Sequence, residues 1–275
     1  MPPRQQTASS RRPTEPSYPS RKSDAALVTI QSQGWDAVIN RVDKFWQPQY
    51  APHHSIIGQN GSGKTHLIVH GLLPLCEDDK VLIIDNKGDD PTLNASGAKR
   101  VKALPSEFRR MSMDNGKPKE AWFQLVVSDD VSRAQDQVGR ALQQVYREGD
   151  WIVVLDETRA ISDPRSPGLG LQPELDRLWL RGRSRNIAVI ASTQAPRWVP
   201  SSFYDQCQFV WCSRIRDERA HQRIMEIGSM TRAHIPHIAS VRKRRWLYMD
   251  DEEDETWIAE TGIPAGTSRG RGTRR

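Results

Sequence analysis

The sequence predicts an α/β domain with a mostly parallel central sheet, helices on both faces and a C-terminal β-hairpin. Three observations carry that expectation. Short, continuous apolar runs alternate with helix-length stretches, as parallel strands covered on both faces require. A glycine-rich octapeptide, GQNGSGKT at 58–65, stands directly between one such run and a helix. Another run, WIVVL, ends in the acidic pair Asp156-Glu157.

The elements follow in order. Residues 1–23 are rich in Pro, Ser, Arg and Gln, have little to bury, and read as a disordered basic tail. Residues 24–261 are expected to form the folded domain, and 262–275 a second disordered tail rich in Arg and Gly. Ser32–Trp46 reads as a helix, because Trp35, Val38, Ile39, Val42 and Phe45 recur at nearly 3.6 residues. Ser32 is its expected N-cap. His54–Ile57 is the first buried strand, followed by a helix over Lys64–Leu73 that Pro74 closes. Val81–Asp85, Trp122–Val127, Trp151–Asp156, Ile187–Thr193 and Gln208–Arg214 read as further strands. Val131–Arg147, closed by Gly149, and Pro173–Arg183 are the helices between them. Thr158–Gln172, TRAISDPRSPGLGLQ, reads as a loop whose length suggests a function, with Arg159 and Arg165 placed to grip phosphate in a channel. Arg245–Met249 and Thr256–Glu260 form the expected hairpin around the acidic turn Asp250–Glu255.

The chain of 275 residues is long enough for one large α/β domain. Its net charge of +6 is unevenly placed. Residues 1–22 carry five Lys/Arg against one Glu, and 262–275 carry four Arg and no acid, which leaves −2 for the stretch between. The basic character therefore resides in the tails, and DNA binding does not follow from it alone. No apolar run approaches the roughly 18–20 residues of a membrane span, and the N-terminus lacks the apolar core of a secretory signal. A cytoplasmic location is expected. Cys76, Cys207 and Cys212 form neither a disulfide framework nor a zinc pattern and read as buried thiols. His66 and His70 have metal-like spacing but no third ligand, so they read as packing or surface residues.

The chemistry centres on the octapeptide. Gly58, Gln59, Asn60, Gly61, Ser62, Gly63, Lys64 and Thr65 fit GxxxxGK[ST] between strand and helix, the context this phosphate-binding loop requires. Glycines let backbone N–H groups surround phosphate oxygens, Lys64 brings charge to the β/γ-phosphates of ATP, and Thr65 offers a hydroxyl to Mg²⁺. Asp156, at the C-terminal end of its strand, is expected to hold the Mg²⁺ shell. Glu157 is suited to polarise the attacking water. If Ile187–Thr193 lies beside the acidic strand, Gln194 also faces the γ-phosphate and can sense it, since an amide both donates and accepts. Asp85-Asn-Lys87 ends a strand in a similar place, where it touches the nucleotide site or a neighbouring subunit, or forms a surface turn. Arg181, Arg183 and Arg185 precede the sensor strand. They read as helix-end cations, and at least one as an arginine finger toward a neighbouring subunit. These motifs indicate a P-loop NTPase, RecA-like, of the type with an additional strand and a catalytic glutamate (ASCE).

The ordered set GQNGSGKT, VLIIDNKGD, WIVVLDE and IAVIASTQAP resembles the FtsK/HerA superfamily of P-loop ATPases over about residues 50–225. The resemblance implies Lys64, Thr65, Asp156, Glu157 and Gln194 as the ATPase residues. It also implies a hexameric ring that translocates double-stranded DNA. Ala195 stands where family members often carry Arg. With no sign of a membrane domain or an added barrel, the chain looks like a genome-packaging or DNA-transfer motor. An alternative is an ATP-dependent assembly protein that switches partners and moves no DNA. A small-molecule kinase is disfavoured by Glu157 and Gln194.

Overall fold

The computed structural model describes residues 30–45, 51–77, 79–105, 121–165, 167–225, 230–242, 245–251 and 255–260. Both expected tails, Trp46 and the tip of the acidic turn lie outside these residues.

Ten strands form one sheet. They are β1 (Gln31–Gly34), β2 (His54–Ile57), β3 (Lys80–Asp85), β4 (Lys99–Val101), β5 (Trp122–Val126), β6 (Trp151–Leu155), β7 (Ile187–Thr193), β8 (Phe209–Cys212), β9 (Arg245–Asp250) and β10 (Glu255–Glu260). Their order is β1-β10-β9-β8-β2-β7-β6-β3-β5-β4. From β8 to β4 every pairing is parallel. The hairpin β9–β10 joins antiparallel to β8, and β1 runs parallel to β10.

The parallel strands are apolar on both sides because helices cover both faces. Along β6 the residues alternate between two cores: Trp151, Val153 and Leu155 face one, Ile152 and Val154 the other. The first core is roofed by α4 (Val131–Glu148) through Val138, Leu142 and Val145, and by α6 (Gln172–Arg181) through Leu175 and Leu178. The second is roofed by α1 (Trp35–Phe45) through Val38 and Val42, and by α2 (Lys64–Leu67) and the turns after it through Leu67, Ile68 and Leu72. Asp130 caps α4 by accepting from Arg133 N–H at 2.8 Å. The three cysteines are buried thiols, and Cys207 and Cys212 are pushed up to about 12 by desolvation.

Three local expectations are corrected. Ser32 does not cap α1, because Gln31–Gly34 are extended and pair with β10. Its hydroxyl donates instead to Glu260 Oε1 at 2.7 Å. Open edge groups on β10 give these polar residues backbone partners that a cap cannot match. The helix after the phosphate loop is α-helical only over Lys64–Leu67, then widens into π-type turns over Ile68–Leu72 and a 3₁₀ turn over Leu73–Cys76. Pro74 has no N–H to give the carbonyl four residues back, so regular α geometry ends ahead of it. Gly71 in that widened turn admits the Trp35 indole, which a Cβ would meet at 2.8 Å. The segment expected as a long loop begins with α5 (Thr158–Ser162). Arg159, Ile161 and Ser162 are held there, with Ile161 fully buried.

Candidate active site

The strand order brings the functional ends together. β7 lies between β2 and β6, so one edge receives the phosphate loop, Ser192–Gln194 and Asp156-Glu157. Ligands of open parallel sheets bind beyond these carboxyl ends.

The loop is built for an anion. Gly58 N–H donates to Thr193 O at 3.1 Å, which anchors the loop on the sensor strand. A Cβ on Gly58 would lie 2.5 Å from Ser62 Oγ and 2.9 Å from Ser213 Cβ, so only glycine fits. Gly61 and Gly63 have φ of 72° and 98°, the left-handed region in which successive N–H groups form an anion-binding nest. Ser62 Oγ is buried without a hydrogen-bond partner. Lys64 Nζ folds back onto the carbonyls of Gly58 (3.0 Å) and Gln59 (3.2 Å). Burial lowers its pKa, against the opposing pull of Glu157 and Asp156. A cradle with an orphaned hydroxyl and a lysine bonded only to carbonyls fits a polyphosphate.

Thr65 Oγ1 donates to Asp156 Oδ1 at 2.8 Å, so both expected Mg²⁺-binding groups converge. Hard oxygen donors of this kind suit Mg²⁺. The other oxygen of Asp156 accepts from Lys87 Nζ at 2.6 Å. Lys87 also pairs with Asp90 Oδ2 at 3.1 Å. Desolvation works to lower the Lys87 pKa, but hydrogen bonding to Asp156 outweighs it and the net shift is upward. Buried Asp85 aims this lysine: its Oδ1 accepts from the N–H groups of Lys87 (3.0 Å) and Gly88 (3.1 Å), and its Oδ2 from Gln124 Nε2 (2.9 Å). The Asp-x-Lys sequence thus belongs to the site, with Asp85 as bracket and Lys87 as tip. Gln124 is a supporting residue that the sequence did not flag.

Glu157 is held by its neighbours on β7. Its Oε1 accepts from Thr193 Oγ1 at 3.0 Å and its Oε2 from Gln194 N–H at 3.2 Å. Burial raises its pKa, and those two hydrogen bonds and the Lys64 charge only partly counter the rise. Ser192 Oγ donates to Asp156 O. Gln194 itself is exposed at the same edge. Lys64, Thr65, Asp156, Glu157 and the backbone of Gln194 therefore assemble around one space.

Arg181, Arg183 and Arg185 stand apart. They end α6 and enter β7 at its N-terminal end, across the sheet from the phosphate loop. Arg185 lies 4.8 Å above the Tyr146 ring and donates to Arg147 O at 3.3 Å. Arg183 and Arg185 line an open cleft with Glu148, Asp150 and Asn186. The arginines at the phosphate edge are others, including Arg197 after the sensor and Arg214 after β8, both exposed. The rings of His66 and His70 lie 4.5 Å apart, tilted by 49°, and among the described residues no three His, Cys, Asp or Glu form a metal-holding group. No helix of the described residues is long and apolar enough to cross a membrane.

No protein-family profile matches the chain. Over 202 residues it is 23% identical to the DNA packaging ATPase P9 of Enterobacteria phage PRD1, covering 71% of this chain and 80% of that protein. Among solved structures it is similar to the genome packaging NTPase B204 from Sulfolobus turreted icosahedral virus 2. In the complex with ATP-gammaS the TM-score is 0.55 at 14% identity, covering 79% of this chain and 99% of that one. A structure containing ATPases 2 and 3 of EssC from Geobacillus thermodenitrificans gives 0.51 at 13% identity, covering 81% of this chain and 41% of that one. With the sensor strand inserted between the phosphate-loop and acidic strands, the chain has the fold of these P-loop ATPases, and its sequence is similar to that of a DNA packaging ATPase over 71% of its length.

Proposed function

We propose that this chain is an Mg-ATP-hydrolysing motor that moves double-stranded DNA, in genome packaging or DNA transfer. It works as a homo-oligomeric, hexameric ring in the cytoplasm, which is the host's if a phage or mobile element encodes it. The observation that carries the reading is the tether between Glu157 and the end of β7, in a chain related to the packaging ATPase P9. Residues 24–261 are the motor domain in this reading, and the basic tails flank it.

Each residue has a task. The loop 58–65 cradles the phosphates, and Lys64 exchanges two carbonyls for phosphate oxygens. Thr65 and Asp156 would hold Mg²⁺, which would supply charge neutralisation at the phosphates. Lys87, paired with one oxygen of Asp156, would compete with the ion for it. Glu157 accepts the proton of the attacking water, and its raised pKa makes it a stronger base than an exposed carboxylate. Gln194 reads the γ-phosphate. Arg181, Arg183 and Arg185, too far across the sheet for their own site, serve a neighbour's nucleotide through a head-to-tail contact.

Glu157→Gln tests the reading. The amide keeps the shape but cannot take the proton, so turnover should fall about 10²–10⁴-fold with Mg-ATP affinity retained. Mixing it with an Arg181/Arg183/Arg185→Ala variant should restore part of the activity, because some interfaces regain both parts. Near-wild-type turnover by Glu157→Gln overturns the mechanism. Absence of any recovery on mixing removes the shared site.

A further inference from the structure

Of the tryptophans in the described residues, Trp198 is the one that stands largely in solvent, at 43% exposure. Three guanidinium groups surround its indole: Arg165 at 4.6 Å from the ring centroid, Arg159 at 5.5 Å and Arg197 at 5.6 Å. One carboxylate answers them. Asp163 accepts from Arg165 Nε (2.8 Å) and Nη2 (2.9 Å) and from Arg159 Nε (3.4 Å). The cluster keeps a charge of +2, and among the described residues Arg197 has no ion pair. Stacking uses the flat face of a guanidinium and leaves N–H groups at its edge able to donate. The cluster is therefore a cationic shelf built on the indole and Asp163.

Hydrogen bonds support it. The turn Pro196–Trp198 is closed by Trp198 N–H donating to Ala195 O at 2.9 Å, and Tyr204 donates to Pro196 O at 2.7 Å. The shelf also joins the two chain segments that leave the active site. Arg159 follows Glu157 by two residues, and Trp198 follows Gln194 by four.

We infer that Trp198 orders Arg159, Arg165 and Arg197 into a surface that grips the sugar-phosphate backbone of duplex DNA beside the active site. The inference rests on the motor reading above and adds the contact surface. Planar, preordered guanidinium forks match phosphate oxygens, and duplex DNA offers these at about one charge per 1.7 Å of axis. Arg165, expected to grip phosphate from a loose loop, is instead locked on Asp163 and the indole, so it adds charge and order.

The test is fluorescence anisotropy of the full chain with a labelled duplex of mixed sequence, bound to Mg²⁺ and a non-hydrolysable ATP analogue, across a NaCl series. Arg197→Ala should reduce the slope of log affinity against log salt by about 1. Trp198→Leu should weaken binding roughly tenfold through lost cation–π ordering, and Trp198→Phe should recover most of it. ATP hydrolysis without DNA should be unchanged in all three. If wild type binds the duplex and Arg197→Ala and Trp198→Leu bind it equally well, the shelf is overturned and the motor reading stands. If wild type binds no duplex, both fall. Loss of DNA-free hydrolysis that high protein concentration repairs would make the shelf a subunit contact and overturn the DNA assignment.

Discussion

His53 and His54 lead into the phosphate-loop strand, and both are fully buried. His53 Nδ1 accepts from Val189 N–H at 3.1 Å while Nε2 lies 3.3 Å from Trp179 O, a pattern that fits the neutral ring protonated on Nε2. His54 Nδ1 accepts from the Trp211 indole N–H at 3.2 Å. Desolvation lowers both to about 3, helped by Arg183 at His53 and by His53 at His54. In the unfolded chain each returns to about 6.5. Between those values the unfolded state binds more protons, so stability falls as pH falls. Each histidine contributes at most about 1.4 kcal/mol per pH unit in that window. From about pH 7 to pH 5.5 the pair should cost about 2.5 kcal/mol, a sizeable part of a typical domain's stability. Guanidinium unfolding at a series of pH values measures this directly. His54→Gln keeps an acceptor for Trp211 and removes one titration, so its loss over the same interval should be about half as large. Wild-type and variant stabilities that fall in parallel would refute the assignment of the neutral buried pair.

Two further outcomes follow from the site. Lys87→Met removes the ammonium from Asp156, so the Mg²⁺ concentration that half-saturates fluorescent ATP-analogue binding should fall several-fold; an unchanged midpoint would mean that Lys87 does not compete there. Gly58→Ala drives a Cβ into Ser62 and Ser213, so it should cost about 1–3 kcal/mol in thermal or chemical unfolding and weaken nucleotide binding at least tenfold, and unaltered binding would show that the loop tolerates the shift.

What was legible in the sequence was local or periodic. GQNGSGKT carries its own geometry, and the period-2 split of β6 between two cores follows from a run of five apolar residues. That β7 is a buried strand with a polar end was legible, while its place beside β6 stood only as a condition that the register Leu155↔Ala191 meets. What was illegible depended on partners distant in the chain. Ser32 has the side chain of a cap, and only the open edge of β10, more than 200 residues away, makes it part of a strand. The sequence left Lys87 open between the site and a surface turn, and only the pairing of β3 with β6 sets its ammonium on Asp156. Trp198 carries no periodic signal of its own, and its exposed place beside Arg159 and Arg165 appears only in the folded chain.

The end of β7 is where these pieces meet. Three consecutive residues bond to the acidic strand: Ser192 Oγ to Asp156 O, Thr193 Oγ1 to Glu157 Oε1 and Gln194 N–H to Glu157 Oε2. On its other side the carbonyl of Thr193 holds the first glycine of the phosphate loop. Glu157 is also the residue immediately before α5, with extended backbone, so one carboxylate stands at the start of one segment that builds the Trp198 shelf and bonds to the start of the other. A carboxylate that turns from Gln194 N–H toward a water would break a bond at the root of that surface. Arg159 lies two residues beyond Glu157 and Trp198 four beyond Gln194, so the shelf is close in sequence to both strand ends of the site. Ala195 leaves the position after the sensor glutamine neutral, and Arg197 follows two residues later beside Trp198.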